Sequence, residues 1–81
     1  MQHFRGDVSL LVSYDSEADA AYIRLQREIS GDVDRTVMVD PSEIDGMINL
    51  DLDVHGRVLG IELLDASNKL PREMLRQMGC D

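Results

Sequence analysis

A run of strict alternation limits what this chain can fold into more than any other feature. Apolar side chains occupy every second position from 48 to 54. The alternate positions, from 47 to 53, carry Met47, Asn49, Asp51 and Asp53. A period of two is typical of a β-strand with one face against a core. The next run, residues 57–64, is apolar at nearly every position. The two runs together predict an antiparallel hairpin.

His55 and Gly56 form the predicted turn of this hairpin. A two-residue type I′ turn needs positive φ at both positions, which glycine adopts freely and histidine tolerates. This turn places apolar residues opposite one another on one face, whereas a slip by one residue would set Ile48 opposite Glu62. The predicted pairs are Leu52 with Leu59, Leu50 with Ile61 and Ile48 with Leu63.

Three further strands are predicted before the hairpin. Residues 8–14 and 20–26 alternate on either side of a turn-rich connection at 15–19, in which Ser16 is placed to cap a helical turn. Residues 35–40 form a short β-rich run. The side chains predicted to face the core are Val8, Leu10, Val12 and Tyr14 in the first strand and Ala21, Ile23 and Leu25 in the second.

The C-terminal segment changes from a period of two to helical spacing. Asp65 is a good N-cap for a turn at 66–69. Pro71 would interrupt a continuous helix, so the main helix is predicted at about 71–78, ended by Gly79 at the C′ position.

These elements predict an α+β fold, an antiparallel β-meander of about five strands with the C-terminal helix packed on one face. One domain over residues 1–81 is expected, because a chain of this length buries only ~60% of its unfolded surface and has no room for a second core. Both sides of the last strand are apolar, and one helix cannot cover both sides of a sheet. We therefore expect a homo-oligomer, with a dimer favoured.

Charge and cysteine content limit the partners and the location. Sixteen acidic and eight basic residues leave a formal net charge of −8, which repels nucleic acid and anionic membranes and favours basic partners or cations. No apolar run reaches the ~18 residues of a membrane span, and the N-terminus lacks a secretory pattern. Cys80 is the only cysteine, and a lone thiol is typical of a reducing compartment, so a cytoplasmic protein is expected.

Two separated motifs resemble those of a known family. The first is Tyr-Asp-Ser-Glu-Ala-Asp-Ala-Ala-Tyr-Ile-Arg-Leu at 14–25, and the second is Asp-Leu-Asp-Val-His-Gly-Arg-Val-Leu-Gly-Ile-Glu-Leu-Leu-Asp-Ala-Ser at 51–67. Together they resemble the domain of unknown function 2283 family of small prokaryotic proteins, over a core of about 8–70. His55 departs from the acidic or polar residue usual in that turn. The resemblance implies a small β-rich domain and no particular activity.

Asp51, Asp53 and Glu62 are the candidate metal ligands. With Gly56 between them, they follow a calcium-loop spacing in which His55 replaces an oxygen ligand. A calcium loop coils around its ion, but these residues lie on predicted strands, where Asp51 and Asp53 would stand ~7 Å apart. A solvated acidic face, neutralised in part by Arg24 or Arg57, is the simpler interpretation, and we expect no bound metal or cofactor.

No catalytic residues are predicted. Asp15, Glu17 and Asp19 form a second acidic cluster, but acid–base work by paired carboxylates needs an enclosed apolar pocket, which a turn does not offer. Asp15 and Asp19 are better explained as turn and cap residues. His3 and His55 lie at a terminus and at a turn tip.

The sequence thus favours a non-enzymatic interaction or regulatory module that self-associates and offers an acidic surface to a basic protein partner. An antitoxin-like role would suit the size and charge by analogy alone. The alternative is a small-ligand or divalent-cation binder that uses the Asp51, Asp53 and Glu62 face.

Overall fold

In a computed structural model of the chain, five strands form one antiparallel sheet, followed by a 3-10 turn and a short helix. The structure describes residues 5–25, 32–40, 42, 44 and 47–79. The elements are β1 (Leu11–Asp15), β2 (Ala20–Arg24), β3 (Arg35–Met38), β4 (Ile48–Leu52), β5 (Val58–Leu64), the 3-10 turn (Ala66–Asn68) and α1 (Arg72–Gln77).

The prediction of an antiparallel α+β fold is confirmed, but its strand order is wrong. A meander would place the strands in chain order, whereas the sheet has the order β1-β2-β5-β4-β3. The β5 strand lies at the centre, where it pairs with β4 on one side and with β2 on the other. Local alternation reveals which strands are neighbours along the chain, but not that β2 returns to a strand about forty residues later.

The β4–β5 hairpin has the predicted register over most of its length. Ile48 lies opposite Leu63 and Leu50 opposite Ile61. The third predicted pair is wrong, because a β-bulge shifts the register and Leu52 lies opposite Val58.

The predicted two-residue turn of this hairpin is also wrong. The Gly56 N–H donates to the Asp53 carbonyl at 3.0 Å, and the Asp53 N–H donates to the Arg57 carbonyl at 2.9 Å. The loop therefore has three residues, Val54, His55 and Gly56. Only Gly56 among them has positive φ, at 80°, so histidine is spared the left-handed conformation.

The two faces of the sheet differ in chemistry. Directly paired residues of an antiparallel sheet lie on the same face, so the register separates two sets. The apolar face comprises Val12, Tyr14, Ala21, Ile23, Val37, Ile48, Leu50, Leu52, Ile61 and Leu63, with Arg35 opposite Leu52 at its margin. The polar face carries Ser13, Tyr22, Arg24, Thr36, Asn49, Asp51, Gly60 and Glu62, with Leu11, Met38 and Leu64 at its margins.

The core lies at one end of the apolar face. Ala21, Leu63 and Ala66 are buried there, with Tyr14 and Leu70 among the partly buried residues packed against them. Ala66 of the 3-10 turn can pack against β2 because the side chain of Ala21 is small. Three predicted inward positions are wrong: Val8, Leu10 and Leu25 are exposed by 79%, 47% and 42%.

The C-terminal segment matches the prediction in its elements. The 3-10 turn occupies residues 66–68 and α1 follows Pro71. Gly79 has φ 81°, and its N–H donates to the Arg76 carbonyl, as expected for a C′ glycine. In the described part of the chain, no helix has the length and hydropathy to cross a membrane. Leu75 of α1 is buried, and the packing of α1 on one face of the sheet stays a prediction.

Gly56 and Gly6 provide a matched pair for testing the hairpin turn. Gly56→Ala should lower the free energy of unfolding by about 1–2 kcal/mol, because an L-residue pays this cost in the left-handed region. For a domain of this size that lowers the Tm by roughly 5–10 °C, which thermal unfolding followed by circular dichroism will measure. Gly6→Ala should leave the Tm unchanged, since no atom lies within 4 Å of its added Cβ. Equal Tm values for the two variants would contradict the turn described here.

Candidate functional site

Asp51 is the centre of a hydrogen-bonded cluster on the polar face. The Tyr22 hydroxyl donates to Asp51 Oδ2 at 2.6 Å, and the Thr36 hydroxyl donates to Asp51 Oδ1 at 2.6 Å. These three side chains come from β2, β3 and β4. Tyr22 must reach across β5 to make its contact, so the cluster ties together four of the five strands.

Glu62 has a separate partner. Asn49, directly opposite on β4, donates from Nδ2 to Glu62 Oε1 at 2.8 Å. The sequence predicts Arg24 or Arg57 as the cation that neutralises this face. In the structure, Asp51 and Glu62 instead accept hydrogen bonds from neutral side chains, those of Tyr22, Thr36 and Asn49.

The ring of Tyr22 lies over Gly60 in the central strand. A Cβ at Gly60 would overlap the Tyr22 hydroxyl and ring carbons, and Gly60 is buried. Burial, followed by the hydrogen bond to Asp51, raises the pKa of Tyr22 to about 12. The phenol is therefore a weaker acid than usual and stays a donor throughout the physiological range.

Asp53 holds the hairpin turn. Its Oδ1 accepts hydrogen bonds from the backbone N–H groups of His55 and Arg57, both at 2.9 Å. The Arg57 amide contributes most to lowering the pKa of Asp53 below its usual value, with a further contribution from the His55 amide. His55 lies exposed at the tip of this turn.

The three candidate metal ligands therefore hold three different contacts. Asp51 binds Tyr22 and Thr36, Asp53 binds its own turn, and Glu62 binds Asn49. Within the ranges that the structure describes, no three His, Cys, Asp or Glu side chains are grouped as a metal ion would require.

Asp19 joins the first hairpin to the segment after β5. Its backbone carbonyl accepts the Ala66 N–H at 2.9 Å. Its carboxylate accepts the Tyr14 hydroxyl at 2.8 Å, the Ser67 N–H at 3.0 Å and the Ser67 hydroxyl at 2.7 Å. Asp19 has φ 49°, a left-handed conformation that aspartate tolerates better than most residues. The hydrogen bonds from the Ser67 and Tyr14 side chains lower the pKa of Asp19.

The interpretation of Asp15 and Asp19 as turn and cap residues is confirmed. Asp15 Oδ1 accepts the N–H groups of Glu17 and Ala18, so Asp15 rather than Ser16 caps the first turn. Asp19, which directly precedes the neighbouring strand β2, caps the 3-10 turn; this role was predicted for Asp65, which makes no side-chain cap bond.

The two ends of the sheet carry different charge. The hairpin end, residues 5–10, 32–35 and 53–57, has four acids and three bases. The acidic end, residues 15–19, 39–40 and 65–69, has five acids and one base, Lys69. The Lys69 ammonium donates to the backbone carbonyls of Leu64 and Asp65. Among the described residues one ion pair is present, Arg35 with Asp34 at 3.1 Å in the hairpin end.

Part of the apolar face is only partly covered by the described residues. Ile61 and Ile23 pack against the core cluster and are half-buried. Farther along the face, Val37 on the edge strand β3 is exposed by 41%, and Leu50 directly opposite it is half-buried and is not part of that cluster. We call this region the open half of the apolar face; it comprises Val12, Ile23, Val37, Leu50, Leu52 and Ile61.

Sequence reasoning missed Thr36, Asn49 and Gly60. An isolated glycine inside a strand is a signal of close approach by another group, and Gly60 is such a glycine. No comparable signal exists for Thr36 and Asn49, because their partners are set by the register. His3 and Cys80 lie outside the described residues.

Gly60→Ala should destabilise the fold through its overlap with Tyr22. Overpacking of this kind costs about 1–3 kcal/mol. Tyr22→Ala removes the ring that the new methyl group meets, so the double variant should lose less stability than the two single variants together. Urea unfolding of all four proteins measures this coupling. Strict additivity would show that Tyr22 does not cover Gly60.

Asp19 should make the stability of the fold depend on pH. Because its pKa is lowered on folding, its contribution is present above the pKa of the unfolded chain and is lost as pH falls through the folded value. Asp19→Asn should thus melt below the wild type at pH 7, and the gap should close as pH falls below the folded pKa. Thermal melts across this range test the effect, and a gap independent of pH would contradict it.

One family of known proteins matches this chain. The family model described as "Protein of unknown function (DUF2283)" matches residues 11–67. No curated protein and no solved structure matches the chain significantly. The matched range runs from the first residue of β1 to Ser67, the partner of Asp19, and so contains the whole sheet and the hydrogen bonds between Asp19 and Ser67. The chain belongs to the DUF2283 family of proteins of unknown function.

Proposed function

We propose that this chain is a non-enzymatic protein-interaction or regulatory module of the cytoplasm, which self-associates and presents an acidic surface to a basic protein partner. The exposure of Val37 on the apolar face carries the proposal, because this side chain is 41% exposed and Leu50 opposite it is only half-buried. A sheet that leaves apolar side chains partly open to solvent gains stability when a second protein covers them.

The small core supports self-association. Within the described residues the buried apolar side chains are Ala21, Leu63, Ala66 and Leu75. Two of these four are alanines, which contribute little apolar area. A domain of this length is marginal without further burial, and oligomerisation is a common way to supply it.

The acidic end supports a basic partner. Asp15, Glu17 and Asp40 are exposed there, and the one lysine of this end is directed to backbone carbonyls. Exposed surface carboxylates produce a negative field that attracts cationic proteins and raises their rate of association.

The chemistry of the titratable groups supports a role without catalysis. A base or nucleophile works best with a pKa near the operating pH. The pKa of Tyr22 is raised to about 12, and those of Asp19 and Asp53 are lowered from ordinary carboxyl values. Each of these shifts moves the pKa of its group further from pH 7. Each shift arises from burial or from hydrogen bonds within the fold.

A lysine oligomer is a suitable probe for the acidic end. In an NMR titration at low salt, the amide signals of residues 15–19 and 65–69 should shift before those of residues 53–57, because cations accumulate where the negative field is strongest. Glu17→Lys should weaken binding by about threefold, within the range of a surface charge contact. Asp32→Lys is the matched control, since it makes the same change of charge at the hairpin end, and its effect should be smaller.

Two outcomes of this titration would count against the proposal. Equal effects of Glu17→Lys and Asp32→Lys would show that total charge alone attracts the probe. Calcium or manganese ions, added in place of the lysine oligomer, test the divalent-cation alternative: a ligand at 100 times its dissociation constant stabilises the native state by ~2.7 kcal/mol. A rise in Tm that corresponds to this stabilisation would favour the alternative.

A further inference from the structure

We propose that the open half of the apolar face is the self-association surface and that its occupant is the same face of a second copy of this chain. This inference rests on the proposed function and deepens it by naming the surface and the partner. In a face-to-face pair, each copy supplies the cover that the other lacks.

The continuity of its apolar side chains selects this face, since the exposed Leu11 and Met38 of the polar face lie on opposite edge strands with polar side chains between them. Val37 lies opposite Leu50 on the edge strand β3 and is exposed by 41%. Leu50, Leu52 and Ile61 beside it are half-buried. These side chains make a continuous apolar surface from β3 to the central strand, and Ile23 and Val12 extend it across β2 and β1. Sheets that pack face to face bury such rows against one another about 10 Å apart.

The distribution of charge selects a second copy as the occupant. An interface between identical surfaces must be complementary to itself, so it needs acids and bases in similar number around it. The hairpin end, which adjoins the open half, has four acids and three bases. The surplus of negative charge lies at the other end of the sheet, beside the core. A basic partner would be drawn to that acidic end, whereas the open half presents little net charge to any partner.

The segment before β1 carries further exposed apolar side chains. Val8 and Leu10 are exposed by 79% and 47%. Together with Leu11, Leu25 and Arg24 they line an open cavity of about 770 Å³ beside the end of β2. Because Leu11 and Arg24 belong to the polar face, this cavity lies outside the proposed interface.

Neighbouring residues on β3 give a matched pair of variants. Val37 is on the apolar face, whereas Met38, exposed by 54%, is on the polar face. Both side chains are on an edge strand and already partly in water, so lysine at either position should leave the monomer folded. In sedimentation experiments across micromolar to millimolar concentration, Val37→Lys should raise the dimer dissociation constant at least tenfold. Met38→Lys should dimerise as the wild type does. Circular dichroism confirms that each variant is folded.

The dependence on salt gives a second readout. Two chains of charge −8 repel one another, and salt screens this repulsion while it leaves apolar contact intact. Dimerisation of the wild type should therefore strengthen between low and high salt. A dimer that weakens as salt rises would be held by charge, and the inference would be overturned.

The possible failures are distinguishable. A wild-type chain that stays monomeric to millimolar concentration would overturn both the self-association in the proposed function and this inference. A wild-type dimer that Val37→Lys and Met38→Lys affect equally would overturn this inference alone, because the chain would then associate through another surface.

Discussion

The pairing of β2 with β5 is the contact on which the rest of this structure depends. It joins a local hairpin, β1–β2, to a local meander, β3–β4–β5, and so turns two marginal pieces into one sheet. The pairs are Ala21 with Leu63 and Ile23 with Ile61. A two-stranded hairpin alone is marginally stable at best, so β1–β2 depends on this pairing, which also extends the apolar face over all five strands. Because it sets β5 at the centre, it also determines which residues are flanked on both sides.

The two faces of the sheet follow from that arrangement. On the polar face, Tyr22 can reach Asp51 only because β5 lies between their strands and offers a glycine, Gly60, to cross over. On the apolar face, the same pairing brings Ala21 to Leu63 and leaves space for Ala66, so that Asp19 can cap the 3-10 turn. The core therefore forms at one end of the sheet, where Ile61 packs against it, and Leu50 and Val37 lie outside that cluster. The proposed partner surfaces are the regions that this packing covers least.

Much of the local structure was predictable because its causes are local. Alternation identified the strands, Pro71 and Gly79 marked the helix, and the register of the β4–β5 hairpin followed from matching apolar positions. The errors lie where two local solutions compete. A three-residue loop with one glycine at positive φ replaces the two-residue turn, since that turn would have required positive φ at His55 as well. The shift is absorbed by a bulge, which displaces Leu52 from Leu59 to Val58. Among the candidate site residues, the cap role of Asp19 was predictable in kind, but its partner Ser67 is 48 positions away.

By itself the sequence determined the element types, the alternation of the two faces, the negative charge and the membership of a family whose two motifs it carries. These depend on neighbouring residues or on composition. Only the tertiary structure decided that β2 pairs with β5, that Thr36 and Tyr22 share one carboxylate, and that the acids concentrate at one end of the sheet. Those features depend on which of the distant segments gain the most free energy by pairing. The local pattern of a sequence does not show how the possible pairings compare in free energy.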